Sequence, residues 1–113
     1  MFTATVIDPI ALYSGTSLAF GTVKTATASA AKSITLTNIG LTSLSVSSIA
    51  FTGADPGDFT QTNTCTAAVA SEKSCTISVT FKPAVKAARS TTMVVTTNAQ
   101  SGTQSIALSG TGD

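Results

Sequence analysis

Apolar and polar residues alternate along most of this chain, and the cleanest run lies within CTAAVASEKSCTISVTFKP, residues 65–83. Cys75, Ile77, Val79 and Phe81 fall on one parity, with Thr76, Ser78, Thr80 and Lys82 on the other. A period of two belongs to a strand with one face buried and the other in water. Shorter runs of the same kind recur. Residues 4–7 and 10–13 form a first extended segment, broken at Asp8-Pro9. Leu18 and Phe20 share a parity in a strand expected to end at Gly21, and Ile34 and Leu36 share one in a strand closed by Asn38-Ile39-Gly40. Leu44 and Val46 take one parity but Ile49 and Phe51 the other, a switch that predicts a β-bulge near Ser47-Ser48. GADPGD (53–58) is a turn cluster, after which Phe59 anchors a short strand.

Pro83 cannot donate to a ladder and ends the strand that starts at Cys75. Met93 and Val95 mark another strand, stopped by residues 98–102, and Ile106 and Leu108 mark the last, expected to close at Gly110. AAVASEK (67–73) has the composition of a single helical turn, and KPAVKAAR (82–89) reads as a loop. Seven or eight short strands, about ten residues apart, predict an all-β antiparallel sandwich of two sheets.

Composition narrows this further. At 113 residues the chain is one domain, large enough to bury a core. Hydrophobic residues are 42% and charged residues only 10%, so Ser and Thr must cover much of the surface. That balance suits sheets and not a helical bundle. The net charge is +1 and no basic stripe exists, which argues against nucleic acid as a partner. No apolar run approaches the ~18 residues of a membrane-spanning helix. The first fifteen residues lack a basic leader and are broken by Pro9, so they are not a secretory signal. Met1 therefore either starts the native chain or falls inside a larger exported protein.

Several short motifs occur in a set order: LAFG (18–21), SITLTNIG (33–40), LSVSSIAFTG (44–53), GDF (57–59), CTISVTFKP (75–83) and IALSGTG (106–112). In that order the chain resembles the immunoglobulin-like domains of the abnormal-spindle/hydin family, whose bacterial relatives are the choice-of-anchor repeats. The likeness covers about residues 16–112. It implies an immunoglobulin-like β-sandwich without catalytic residues, used as a spacer or binding surface in larger extracellular, ciliary or centrosomal proteins. Bacterial relatives carry a cysteine pair at the positions of Cys65 and Cys75. Two departures stand out. The family's small or glycine-containing turn before the second cysteine reads Ser71-Glu72-Lys73-Ser74 here, and fifteen residues precede the family's start, with the chain expected to stand as a single domain and not in an array.

The candidate chemistry is sparse. Two cysteines in a chain without His cannot close a zinc site, and their spacing is not C-x-x-C. A disulfide closing the loop before the strand is the favoured reading, which points to an oxidising compartment. Asp55 and Asp58 are the close acidic pair. They are too few for a tight calcium cage and suit an ordinary turn. A Ser-His-Asp triad is impossible without His. Lys82, Lys86 and Arg89 read as a solvated loop more readily than as a dock for an anionic partner. A sugar platform of exposed aromatics would have only Phe2 and Tyr13 to draw on.

The N-terminal segment is the remaining candidate. Phe2, Val6, Ile7, Ile10, Leu12 and Tyr13 are apolar or aromatic and extended. They form either a first strand, which could switch between sheets, or an arm that adds a strand to a neighbouring subunit. The expected organisation is an arm or first strand over residues 1–15 and a sandwich over 16–113. The expected function is a non-catalytic structural module, with no cofactor and no metal. It would bind proteins, copies of itself included, on a bacterial surface, in a secreted protein or on a phage virion. Glycan binding is the alternative.

Overall fold

The computed structural model describes residues 9–99 and 102–113. Eight strands follow in order: β1 (Ala11–Tyr13), β2 (Ser17–Val23), β3 (Lys32–Asn38), β4 (Val46–Thr52), β5 (Phe59–Asn63), β6 (Ser74–Phe81), β7 (Ala88–Thr97) and β8 (Thr103–Gly112). A single 3-10 turn, Pro56–Asp58, leads into β5. The strands form two four-stranded sheets, β1-β3-β6-β5 and β2-β8-β7-β4, packed face to face as a sandwich. The alternation in β6 is met in full: Cys75, Ile77, Val79 and Phe81 are buried and Thr76, Ser78 and Thr80 half-buried on the outer face. They meet Ile34 and Leu36 of the same sheet and Met93, Val95, Ile106 and Leu108 of the other in one apolar core. Phe59 stacks on Phe81 with centroids 4.8 Å apart, and Phe20 tilts against both. This trio fills the end of the core where β6 finishes.

The chain passes from β1 in one sheet to β2 in the other through Ser14, Gly15 and Thr16. That switch makes β2 run parallel to β8, whereas every other strand pair is antiparallel. The bulge expected near Ser47-Ser48 lies between Val46 and Ser48 in the β4–β7 pairing. It lets β4 turn Ile49 and Phe51 toward the core after Leu44, which is fully buried.

Three expectations are corrected, two of them about strand ends. Gly21 does not stop β2. Its φ of +70° accommodates a register shift between Ala19 and Thr22, and pairing with β8 resumes to Val23. Gly110 does not close β8, which continues to Gly112. Gly110 is instead where the Phe81 ring crosses the strand, because a Cβ there would lie 2.4 Å from the ring. Residues 67–73 form no helical turn. Val69 is buried and bridges to Leu44 through reciprocal backbone hydrogen bonds of 2.7 and 2.8 Å.

Candidate interaction surfaces

Cys65 and Cys75 are joined as a disulfide, with Cα atoms 5.2 Å apart. The bond ties the end of β5 to the start of β6 across a separation of ten residues. Both cysteines are buried, so the pair acts on the fold and presents no thiol chemistry.

Asp55 and Asp58 do more than shape a turn. Arg89 Nε donates to Asp58 Oδ2 at 2.6 Å, and Nη2 lies 3.0 Å from Asp55 Oδ1. Asp58 Oδ2 also accepts the Ala84 N–H, and Asp55 Oδ2 accepts the Ser90 N–H. Arg89, expected on a solvated loop with Lys82 and Lys86, is therefore locked between two carboxylates at the start of β7. The hydrogen bond to Asp58 raises the guanidinium pKa further above its ordinary value, against a smaller opposing effect of desolvation. With both acids committed to Arg89, the pair offers no empty carboxylate site for a cation. Among the described residues no group of three His, Cys, Asp or Glu side chains could hold a metal.

The N-terminal candidates separate. Phe2, Val6 and Ile7 lie outside the described residues. Ala11–Tyr13 pairs with β3 of its own sheet, with Tyr13 opposite Leu36. Tyr13 shares the inward parity with Ala11 and packs half-buried against the core, which raises its phenol pKa. It is not free to serve as a sugar platform, and no aromatic ring is exposed among the described residues. Leu12 takes the opposite parity and is 53% exposed, opposite Thr37. Ile39 follows two residues beyond Thr37 and is 52% exposed, and its N–H donates to the Ile10 carbonyl at 2.9 Å. Leu41, in the next turn, is 60% exposed. Leu12 and Ile39 thus share the outer face at the β1 edge of the sheet, and Leu41 is exposed in the turn that follows; these three side chains make up an apolar corner. Exposed apolar clusters of this kind mark docking surfaces far more often than scattered single residues do.

Asn38 builds that corner, and its role went unread beyond the end of a strand. It is fully buried. Its Nδ2 donates to the carbonyls of Thr42 and Val69 at 2.7 and 2.9 Å, and its Oδ1 accepts the N–H groups of Gly40 and Ile10 at 2.9 and 3.3 Å. One side chain therefore holds β1, the turn carrying Ile39 and Leu41, and the Val69 bridge together. An Asn two residues before a Gly, at the inward parity of a strand, was the available signal. Its partner Val69 is 31 residues away and gave no local sign.

Two shallow grooves complete the surface. One of about 290 Å³ runs between the free edges of β4 and β5, lined by Val46, Ile49, Gln61 and Asn63 among others. The other, about 370 Å³, crosses the outer face of the second sheet over Ala19, Gly21, Ser90 and Ser109. Neither holds a titratable group except Arg89, already paired.

Two packed four-stranded sheets, with the chain crossing from one to the other between β1 and β2, define an immunoglobulin-like β-sandwich. The chain belongs to the Cep192 domain 4 family, whose model matches residues 9–113. Solved structures carry the same fold at low identity. A protein of unknown function from Porphyromonas gingivalis W83 superposes with a TM-score of 0.78 at 16% identity, covering 96% of this chain and 49% of that one. The ASH/PapD-like domain 7 of human CEP192 gives 0.70 at 18%, covering 100% and 90%. The VesB protease of Vibrio cholerae gives 0.68 at 17%, covering 91% of this chain but 31% of the protease. This chain spans about half the length of the Porphyromonas protein. No curated protein matches it.

Proposed function

We infer that this domain is a non-catalytic protein-interaction module displayed on a larger assembly. The context we favour is a bacterial surface or secreted protein related to the hydin-like and choice-of-anchor domains, with a phage virion surface as the other exposed setting. A buried disulfide in a small domain fits an oxidising location. One observation carries the reading: the Leu12, Ile39 and Leu41 corner is apolar, exposed and held in place by a fully satisfied Asn38. A side chain that organises two carbonyls and two N–H groups beneath three exposed apolar residues makes a built surface and not a frayed end. Proteins are the class of partner that apolar, aromatic-poor surface suits. Glycans need ring platforms or dense polar groups.

The reading is tested with a photo-crosslinking residue at position 41, and at Thr62 on the outer face as control, in the cells that make the protein. Crosslinks to protein from position 41 and none from Thr62 are expected. Specific binding on a glycan array, with no protein crosslink from position 41, would replace this reading with the sugar-binding one.

A further inference from the structure

The loop that the disulfide closes also holds the apolar corner. Residues 66–73 run from Cys65 toward Cys75 at the start of β6. The Ser71 hydroxyl donates to the Gly40 carbonyl at 2.6 Å. The Glu72 N–H donates to the Asn38 carbonyl at 2.7 Å, and the Lys73 carbonyl accepts the Asn38 N–H at 2.9 Å. The Val69 carbonyl accepts both Asn38 Nδ2 and the Leu44 N–H, and the Val69 N–H donates back to the Leu44 carbonyl. The turn displaying Ile39 and Leu41 is therefore fastened to the disulfide loop at both ends, by Asn38 before it and Leu44 after it. We propose that closing the Cys65–Cys75 bond is the step that sets the apolar corner in its binding form, so that the chain takes its partner only after meeting an oxidant. The proposal rests on the interaction-module reading and names the regulation of that same surface.

The sandwich and the loop depend on the bond to different degrees. β5 and β6 pair from Phe59–Phe81 to Asn63–Ile77, and the Thr64 N–H donates to the Thr76 carbonyl, so the two strands stay joined without it. Within residues 66–73 only Val69 is buried, and Glu72 sits at a φ of +67°. A loop with one buried side chain and a residue in the left-handed region gains little from packing and relies on the closure of its ends. Closure needs a disulfide oxidant. One cysteine thiolate attacks it, releasing a thiol and leaving a mixed disulfide. The second thiolate then attacks the cysteine sulfur of that intermediate and releases the second thiol. The chain loses two protons and two electrons, and the oxidant gains them. Both cysteines are buried once joined, which keeps solution thiols from reversing the step. Closure is thus a maturation step and not a reversible switch. By linkage, a partner that takes the ordered corner favours the closed bond as much as the bond favours the partner.

The test compares the disulfide-bonded full chain with Cys65→Ala/Cys75→Ala, by amide hydrogen exchange and by photo-crosslinking from position 41 in cells. In the variant, exchange at Gly40, Leu44, Val69 and Glu72 is expected to quicken at least ~10-fold while the β7 and β8 amides keep their protection. The crosslink from position 41 is expected to fall at least ~10-fold. Wild-type protein refolded and kept reduced should match the variant in exchange, and should recover protection once oxidised glutathione is added. Unchanged exchange at those four amides overturns the proposal. Faster exchange with an undiminished crosslink overturns it as well. If β7 and β8 also lose protection, the comparison moves to Cys65→Val with Cys75→Ala, which refills part of the vacated volume. Loss of β7 and β8 there too overturns the proposal, because the bond would then hold the whole sandwich. In each of those cases, crosslinks from position 41 of the disulfide-bonded chain still support the interaction-module reading. No protein crosslink from the disulfide-bonded chain removes that reading and this proposal with it, so the two failures are told apart.

Discussion

Where β6 ends, at Phe81, three charged side chains are folded in; where it begins, at Ser74, three large apolar side chains are left out. At the first end the Lys82 N–H donates to the Asp58 carbonyl, and Asp58, paired with Arg89 alongside Asp55, directly precedes Phe59 of the aromatic trio. At the second, Ser74 pairs with Thr37, next to Asn38 and the Leu12, Ile39 and Leu41 corner. Both ends depart from the usual placement of charge and apolar surface. The difference is compensation. Every carboxylate of the charged cluster has its cation or N–H donor within the chain. The apolar corner has polar support beneath it but no cover above. An internally balanced departure serves the fold, and an unbalanced one points outward to a partner.

The largest expected effect is at the base of the corner. Asn38→Ala strands two carbonyls and two N–H groups, one of each buried, and should cost roughly 3–4 kcal/mol, read as a shift in the urea midpoint with little change in slope. If the loss were under ~1 kcal/mol, Asn38 would be a surface group and the corner would be loose. Asp58→Ala comes next, at about 2 kcal/mol, because Arg89 keeps Asp55 and some access to water. Asp55→Ala should cost less, since Asp55 is the more exposed acid. The raised Arg89 pKa fixes the sign of the pH dependence. A cation with a raised folded pKa contributes fully below its unfolded value and loses that contribution only as pH climbs through the folded one. A guanidinium is protonated far above neutrality even unfolded, so alkaline titration to about pH 10 should leave the contribution of the cluster intact.

A smaller effect of opposite sign is expected at Glu72. It holds a φ of +67° while its N–H donates to the Asn38 carbonyl at 2.7 Å. A side chain in the left-handed region is strained, and Glu72→Gly should stabilise the chain by roughly 0.5–1 kcal/mol in thermal melts. Glu72 sits in the Ser71-Glu72-Lys73-Ser74 turn that leads into β6. A destabilised Glu72→Gly would mean that the Glu side chain makes a favourable contact.

The apolar pattern made most of the strands legible. Parity alone places Cys75, Ile77, Val79 and Phe81 inside, and the parity switch after Val46 marks the bulge, because period-two burial is a local property of a pleated strand. Glycines misled for a physical reason. Gly21 and Gly110 look like punctuation, yet one provides a positive φ inside a strand and the other clearance for the Phe81 ring, which is 29 positions away. The polar hubs were illegible for the same reason. Asn38 meets Val69, and Arg89 meets Asp58, at separations of 31 residues each, and no local pattern announces a partner that distant. The apolar corner was half visible. Ile10 and Leu12 were recognised as apolar and extended, but only the β1–β3 register shows that Leu12 points out beside Ile39 while Tyr13 points in.

The smallest effect on stability is expected at the corner's outer face, and there the comparison is tested most sharply. Leu41→Thr removes an exposed side chain that no core residue needs, and the monomer's unfolding free energy should change by less than ~0.5 kcal/mol. Association should nevertheless weaken at least ~10-fold, the loss expected when a central apolar contact of a small interface is truncated. The same two measurements on Asp58→Ala should come out reversed, with stability lost and association unchanged, because that cluster faces its own chain. Measuring both quantities for both variants, by denaturation and by binding to the protein captured through position 41, gives the two ends of β6 separate signatures. If Leu41→Thr lowered stability as much as Asp58→Ala, the corner would be part of the fold's own packing, and its exposure would carry no information about a partner.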